Sequence, residues 1–80
     1  MKLRKEVVKF AEFMEEVLQR YDSKGGWEYC SVEWLFLRLV EEVGELASQL
    51  SANVQTKAGI TKECADVANF AMMIHDKVTS

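Results

Sequence analysis

No proline occurs in this 80-residue sequence, and its four glycines include a single adjacent pair, Gly25-Gly26, so few points punctuate the chain. Two cysteines are present, Cys30 and Cys64. They lie far apart with no Cys-x-x-Cys spacing, which argues against a thiol-based metal or redox motif and leaves both as expected free thiols. The one histidine, His75, has no Glu-x-x-His spacing around it, which removes the main support for a di-iron helical bundle. Positive charge is also short. The net charge is −3 and the basic residues are scattered, so there is no electrostatic footprint for duplex nucleic acid. No apolar run is long enough to span a bilayer, and Met1-Lys2-Leu3-Arg4-Lys5-Glu6 lacks the apolar core of a signal peptide. The expectation is one cytoplasmic domain over 1–80, with no membrane partner.

What is present is helical periodicity. Leu3, Val7, Phe10, Met14, Val17 and Tyr21 alternate four and three apart, predicting a first helix from about Lys2 to Tyr21. Asp22-Ser23-Lys24-Gly25-Gly26 then breaks the period with turn formers. Ser31 is suited to cap a second helix running to about Ala52; the polar stretch Asn53 to Gly59 ends it, and Thr61 is the expected cap of a third helix reaching Val78. On helix two, Leu35, Leu39, Val43, Leu46 and Leu50 form a candidate core stripe, while Gly44, Ala47, Ser48 and Ser51 make a face of small residues that a second helix can approach closely. On helix three the candidate seam is Cys64, Val67, Ala71, Ile74 and Val78. Three helices of this length leave more apolar surface than they can cover. An all-α, three-helix protomer completing a four-helix-type bundle by oligomerisation, as a homodimer or homotetramer, is therefore expected.

The chemistry lies in two carboxylate pairs, Glu42/Glu45 and Glu63/Asp66, with Glu41 beside the first. A step of three residues returns to nearly the same helix face, so each pair aims its oxygens at one point. Helices two and three, joined by a short connection, are expected to be antiparallel, which puts Glu45 and Asp66 at similar height. Four such acids repel one another unless a cation neutralises them, and Mg²⁺, or Mn²⁺ in its place, favours carboxylate oxygens and bridges to phosphate. Glu63 and Asp66 are placed in the opening turns of helix three, where the helix dipole favours negative charge, so these carboxylates are expected to stay ionised.

Glu41-Glu42-Val43-Gly44-Glu45-Leu46-Ala47, followed after a gap by Glu63-Cys64-Ala65-Asp66-Val67-Ala68-Asn69-Phe70, resembles the paired E-E-x-x-E and E-x-x-D signature of MazG-like nucleoside triphosphate pyrophosphohydrolases. Lys24-Gly25-Gly26-Trp27 is similar to a segment seen before the signature in short members. The resemblance implies that Glu42, Glu45, Glu63 and Asp66 hold Mg²⁺ and that a nucleoside triphosphate is converted to its monophosphate and pyrophosphate. Glu41 and Glu45 are the candidate catalytic carboxylates, Glu41 as the spare group that accepts a proton from the attacking water. Candidate substrate contacts are Lys24 and Lys77 for phosphate, Arg38 for phosphate or for pairing with Glu42, Asn69 for a base or sugar edge, and Trp27 and Trp34 for stacking.

Each feature also has a plainer explanation. Acids three apart on a helix commonly form a solvated face, and aromatic residues commonly pack a small core. Two alternatives to the hydrolase accompany it: a non-catalytic helical oligomerisation or nucleotide-sensing module, and phosphoribosyl-ATP hydrolysis within the same superfamily.

Overall fold

The ends of the helices are set by local chemistry. At Ser31 the side-chain oxygen accepts the Trp34 backbone N–H at 3.0 Å, starting α2 (Val32–Ser51) as its sequence predicts. Thr56 does the same for the Gly59 N–H at 3.0 Å, so α3 spans Lys57–Thr79 and begins one turn before Thr61, the expected cap. Gly59 does not break this helix because it falls in the first turn, where a Cβ would come 2.5 Å from the side-chain oxygen of Gln49 on α2. Helix α1 (Lys5–Gln19) has no side-chain cap, and it closes where the N–H groups of Arg20 and Tyr21 bond back to Val17 and Leu18 in tightened i→i+3 fashion. It is therefore shorter at both ends than its apolar period suggests.

Between α1 and α2 a 3₁₀ turn, Asp22–Lys24, ends at Gly25, whose φ of +89° with ψ near 170° is a backbone conformation open to glycine and strained for other residues. The computed structural model describes all 80 residues and contains three α-helices and no strand. Helix α3 is the central element: α2 pairs with it along most of its length, and α1 packs on it over a shorter stretch. No helix is long and apolar enough to cross a membrane. Both cysteines are free and half-buried, and His75 is exposed.

Burial is sparse and unusual in kind. Only Val17, Leu35 and Ala65 are buried apolar residues, and they share the interior with Glu42, Glu63 and Asn69. On α2 the expected stripe divides: Leu35 is buried and Leu39 and Leu46 half-buried, whereas Val43 and Leu50 are exposed. Glu42 and Gln49 take the inward places instead. On α3, Ala71 and Val78 of the expected seam are exposed, and Glu63, Ala65 and Asn69 turn inward. The stripe assignments fail at these positions because α3 is contacted from two sides, so its buried arc follows the gap between α1 and α2 rather than the most apolar row.

Phe36, Val40, Val43, Ala47 and Leu50 form a second row on α2, spaced four and three apart and all open to solvent. The accessible surface is 6177 Å² for a 9.2 kDa chain, against about 4,900 Å² for a compact monomer of that mass. The radius of gyration is 13.6 Å, where about 12 Å is usual for 80 residues in a compact domain.

Candidate functional site

The pairing of α2 with α3 brings the two acidic motifs together. Ligand oxygens of Glu42, Glu45 and Glu63 lie within 4.8 Å of one another. Glu42 faces Glu63, Asp66 and Glu45 together, so the two acidic motifs meet as the spacing on neighbouring helices leads one to expect. One turn further along, the Arg38 guanidinium lies 5.3 Å from the centre of the Phe70 ring. The earlier start of α3 also carries Glu63 and Asp66 beyond its first turn, where the helix dipole has little hold on them.

Glu42 and Glu63 are only 5% and 7% exposed, and one carboxylate oxygen of each, Oε2, has no hydrogen-bond partner. Orphaned buried acceptors of this kind are costly, and they aim charge at an enclosed point. The Glu42 carboxyl is pushed up to about 7 from an ordinary 4.5, first by burial, then by its hydrogen bond with Glu63, then by the charges of Asp66, Glu45 and Glu63. Without a cation this group is therefore not held fully ionised near neutral pH.

Asp66 stands beside the triplet rather than in it. Its Oδ2 accepts from the Lys62 ammonium at 2.9 Å, and the same ammonium lies 3.6 Å from Glu63. Lys62 is held well above the usual lysine range, chiefly by the hydrogen bond to Asp66. Lys62 was not among the residues singled out from the sequence. The available signal was its i,i+4 spacing to Asp66 and its position immediately before Glu63, which is easily passed over because isolated lysines are mostly solvated.

A cavity of about 670 Å³ opens beside these acids between the end of α1, the Asp22–Cys30 segment, α2 and α3. Lys24, Trp27, Trp34, Arg38 and Asn69 all line it, together with Glu42, Glu45 and Asp66. Glu63 lies behind the wall, and Glu41 and Lys77 lie outside it. Glu41 is exposed and pairs with Arg38, which also reaches Glu42 at 3.2 Å. Lys77 donates to the Glu28 backbone carbonyl at 3.0 Å, and the Trp27 indole donates to Asp76 at 2.9 Å. These two bonds tether the Gly25–Cys30 stretch to the last turns of α3. Lys24 sits 5.2 Å from the Tyr21 ring. Asn69 donates from Nδ2 to the Met14 carbonyl of α1 at 3.2 Å, and its Oδ1 is buried with no partner.

The cavity is polar at one end and aromatic at the other. Asp66 and Met73 mark those ends on α3, about 10 Å apart along the helix. A donor set made only of carboxylates fits a hard divalent cation such as Mg²⁺, and the unpartnered Oε2 atoms of Glu42 and Glu63 supply acceptors that nothing else in the protein uses. No family model matches the chain, and comparison with curated proteins and with solved structures likewise finds no match.

Proposed function

We propose that this chain is a Mg²⁺-dependent nucleoside triphosphate pyrophosphohydrolase, similar to the MazG-like enzymes and working as a homo-oligomer. The observation that carries the reading is the convergence of Glu42, Glu45 and Glu63 beside a cavity that Glu42 and Glu45 line at its polar end and whose wall continues past Phe70 to Trp27 and Trp34. A nucleotide has the same polarity, with phosphates at one end and a flat base roughly 10 Å away. The spacing of the acidic motifs and the all-helical fold support the same conclusion.

In this reading Glu42, Glu45 and Glu63 would hold the cation, with Asp66 beside them; such an ion supplies neutralisation of the phosphates and a more acidic water. Glu45 lines the cavity and retains solvent access, so it is better placed than Glu41 to take the proton from the water that attacks phosphorus. Glu41 positions Arg38 over the Phe70 ring. Asn69 offers Oδ1 to a hydroxyl or N–H of the substrate, its Nδ2 being committed to Met14. The products are a nucleoside monophosphate and pyrophosphate.

Oligomerisation is supported by the surface excess of about 1,300 Å² per chain over a compact monomer, more than the roughly 800 Å² per partner of a standard interface. The exposed Phe36/Val40/Val43/Ala47/Leu50 row is the face to be covered, and Gly44 beside it permits close approach. Pyrophosphate release from a panel of ribo- and deoxyribonucleoside triphosphates and phosphoribosyl-ATP, with Mg²⁺, tests the activity and its base preference. Glu42→Gln and Asp66→Asn are expected to lower turnover at least about a hundredfold. A chain that turns over no nucleotide, with or without Mg²⁺, would falsify the enzyme assignment.

A further inference from the structure

Lys62 is the only cation bound directly to the carboxylates of α3 that this site needs. Its ammonium bridges Asp66 at 2.9 Å and Glu63 at 3.6 Å. Its side chain is 39% exposed, so it is not locked in place by packing. It also lines two cavities at once: the large one beside the acids, and a second hollow of about 580 Å³ where α1 ends against the start of α3, lined by Arg20 and Lys57. The acids it neutralises stand beside buried carboxylate oxygens with no partner, on Glu42 and Glu63 at 5% and 7% exposure, which marks the cluster as awaiting a further positive charge.

A divalent cation and an ammonium compete for the same few oxygens. The divalent ion has twice the charge and accepts several carboxylates at once, so its arrival weakens the hold on Lys62. The released four-carbon arm already borders the hollow shared with Arg20 and Lys57, whereas in the large cavity Arg38 is held by Glu41 and Glu42 and Lys24 lies over the Tyr21 ring. We infer that Lys62 is an exchangeable internal counter-ion: it holds Asp66 and Glu63 until a divalent cation takes them, then turns with Arg20 and Lys57 to bind the terminal phosphates of the ligand. The first half concerns the acid cluster alone; the second rests on the polyphosphate reading given above. In the absence of metal Lys62 prevents the acids from repelling one another, and in its presence the same charge is reused on the substrate.

Acylation of surface amines in the unaltered protein, read by mass spectrometry, follows Lys62 directly. Labelling of Lys62 relative to the exposed Lys9 is expected to rise several-fold when Mg²⁺ is added, and to fall again when inorganic pyrophosphate is added with Mg²⁺. In Lys62→Met, Mn²⁺ measured by electron paramagnetic resonance should bind about tenfold more tightly on its own, since one positive charge has left the cluster. Pyrophosphate in the presence of Mn²⁺ should bind at least about tenfold more weakly. Labelling that Mg²⁺ leaves unchanged, or Mn²⁺ affinity that the substitution does not raise, overturns the counter-ion role. Labelling that responds to Mg²⁺ but not to pyrophosphate overturns the phosphate role alone. Should Lys62→Met fail to fold, the labelling of the unaltered chain decides. None of these readouts needs turnover, so a failure of the hydrolase assignment is seen separately in the nucleotide panel.

Discussion

The two long faces of α2 are inverted relative to an ordinary amphipathic helix. On one side Glu42 is 5% exposed beside Leu35, and Arg38 and Gln49 are half-buried with it. Across the helix, Phe36 at 55%, Val40 at 52% and Val43 at 49% stand in water. A protomer optimised only for its own stability would exchange these environments, because burying a carboxylate is costly and burying a Val or Leu side chain yields about 1.5–3 kcal/mol. The difference is what the proposed function asks for, an inward face given to chemistry and an outward face given to assembly. On that proposal association recovers the stability withheld from the single chain, and a bound ligand compensates the charged interior.

The comparison is broken most completely at the outward face. Val43→Glu places a charge in the middle of the apolar row and is expected to remove at least about 3 kcal/mol of association free energy. Sedimentation velocity should then show a single-chain species where the unaltered protein sediments as a dimer or larger; a folded monomer in both would end the assembly reading. At the inward face, Leu35→Ala truncates the largest fully enclosed side chain, at a cost of about 2–5 kcal/mol seen as an earlier denaturant midpoint. Equal losses from Leu35→Ala and Phe36→Ala in a demonstrated monomer would mean that the two faces do not differ as described.

Proton linkage sharpens the contrast from the charged side. The Glu42 carboxyl sits at about 7 in the folded chain against 4.5 ordinarily, so between those values the folded state binds a proton that the unfolded state has lost. This contribution is complete below pH 4.5 and disappears as pH rises through 7, a loss of about 3 kcal/mol for the metal-free protein. Urea denaturation at pH 5, 6, 7 and 8 measures it. Glu42→Gln should flatten the profile, and saturating Mg²⁺ should oppose it by favouring the ionised carboxylate. The smallest effect belongs to the tether of the cavity wall: Trp27→Phe removes the indole bond to Asp76 and should cost about 1 kcal/mol, with little change in the oligomer.

Much of this arrangement is legible in the sequence, and the parts that are not have more than one cause. Ser31 is readable as a cap because its hydroxyl precedes a long apolar period. Thr56 is hidden by the polar, glycine-containing run that follows it, although Gly59 fits inside the first helical turn. The convergence of Glu42, Glu45 and Glu63 follows from spacing plus a short connection. The inward row of α2 is legible only in part: Leu35, Leu39 and Leu46 turn inward as expected, whereas Val43 and Leu50 do not. Leu35/Leu39/Leu46 and Phe36/Val40/Val43 are equally apolar, and the choice depends on the partner helix. Lys62 escaped for a different reason: its partners Glu63 and Asp66 are on its own helix and the i,i+4 spacing is visible, but an isolated lysine in such a pair is ordinarily a solvated surface residue.

The chain has two tryptophans, and both stand in the wall of the same cavity. All of its indole emission therefore originates within one compartment, with no third residue elsewhere to dilute it. One indole is bonded to the Asp76 carboxylate, and the other is half open to water. Their colour and intensity accordingly form a built-in optical gauge of that compartment's polarity, and a flat ring entering it would register as quenching in the unlabelled protein.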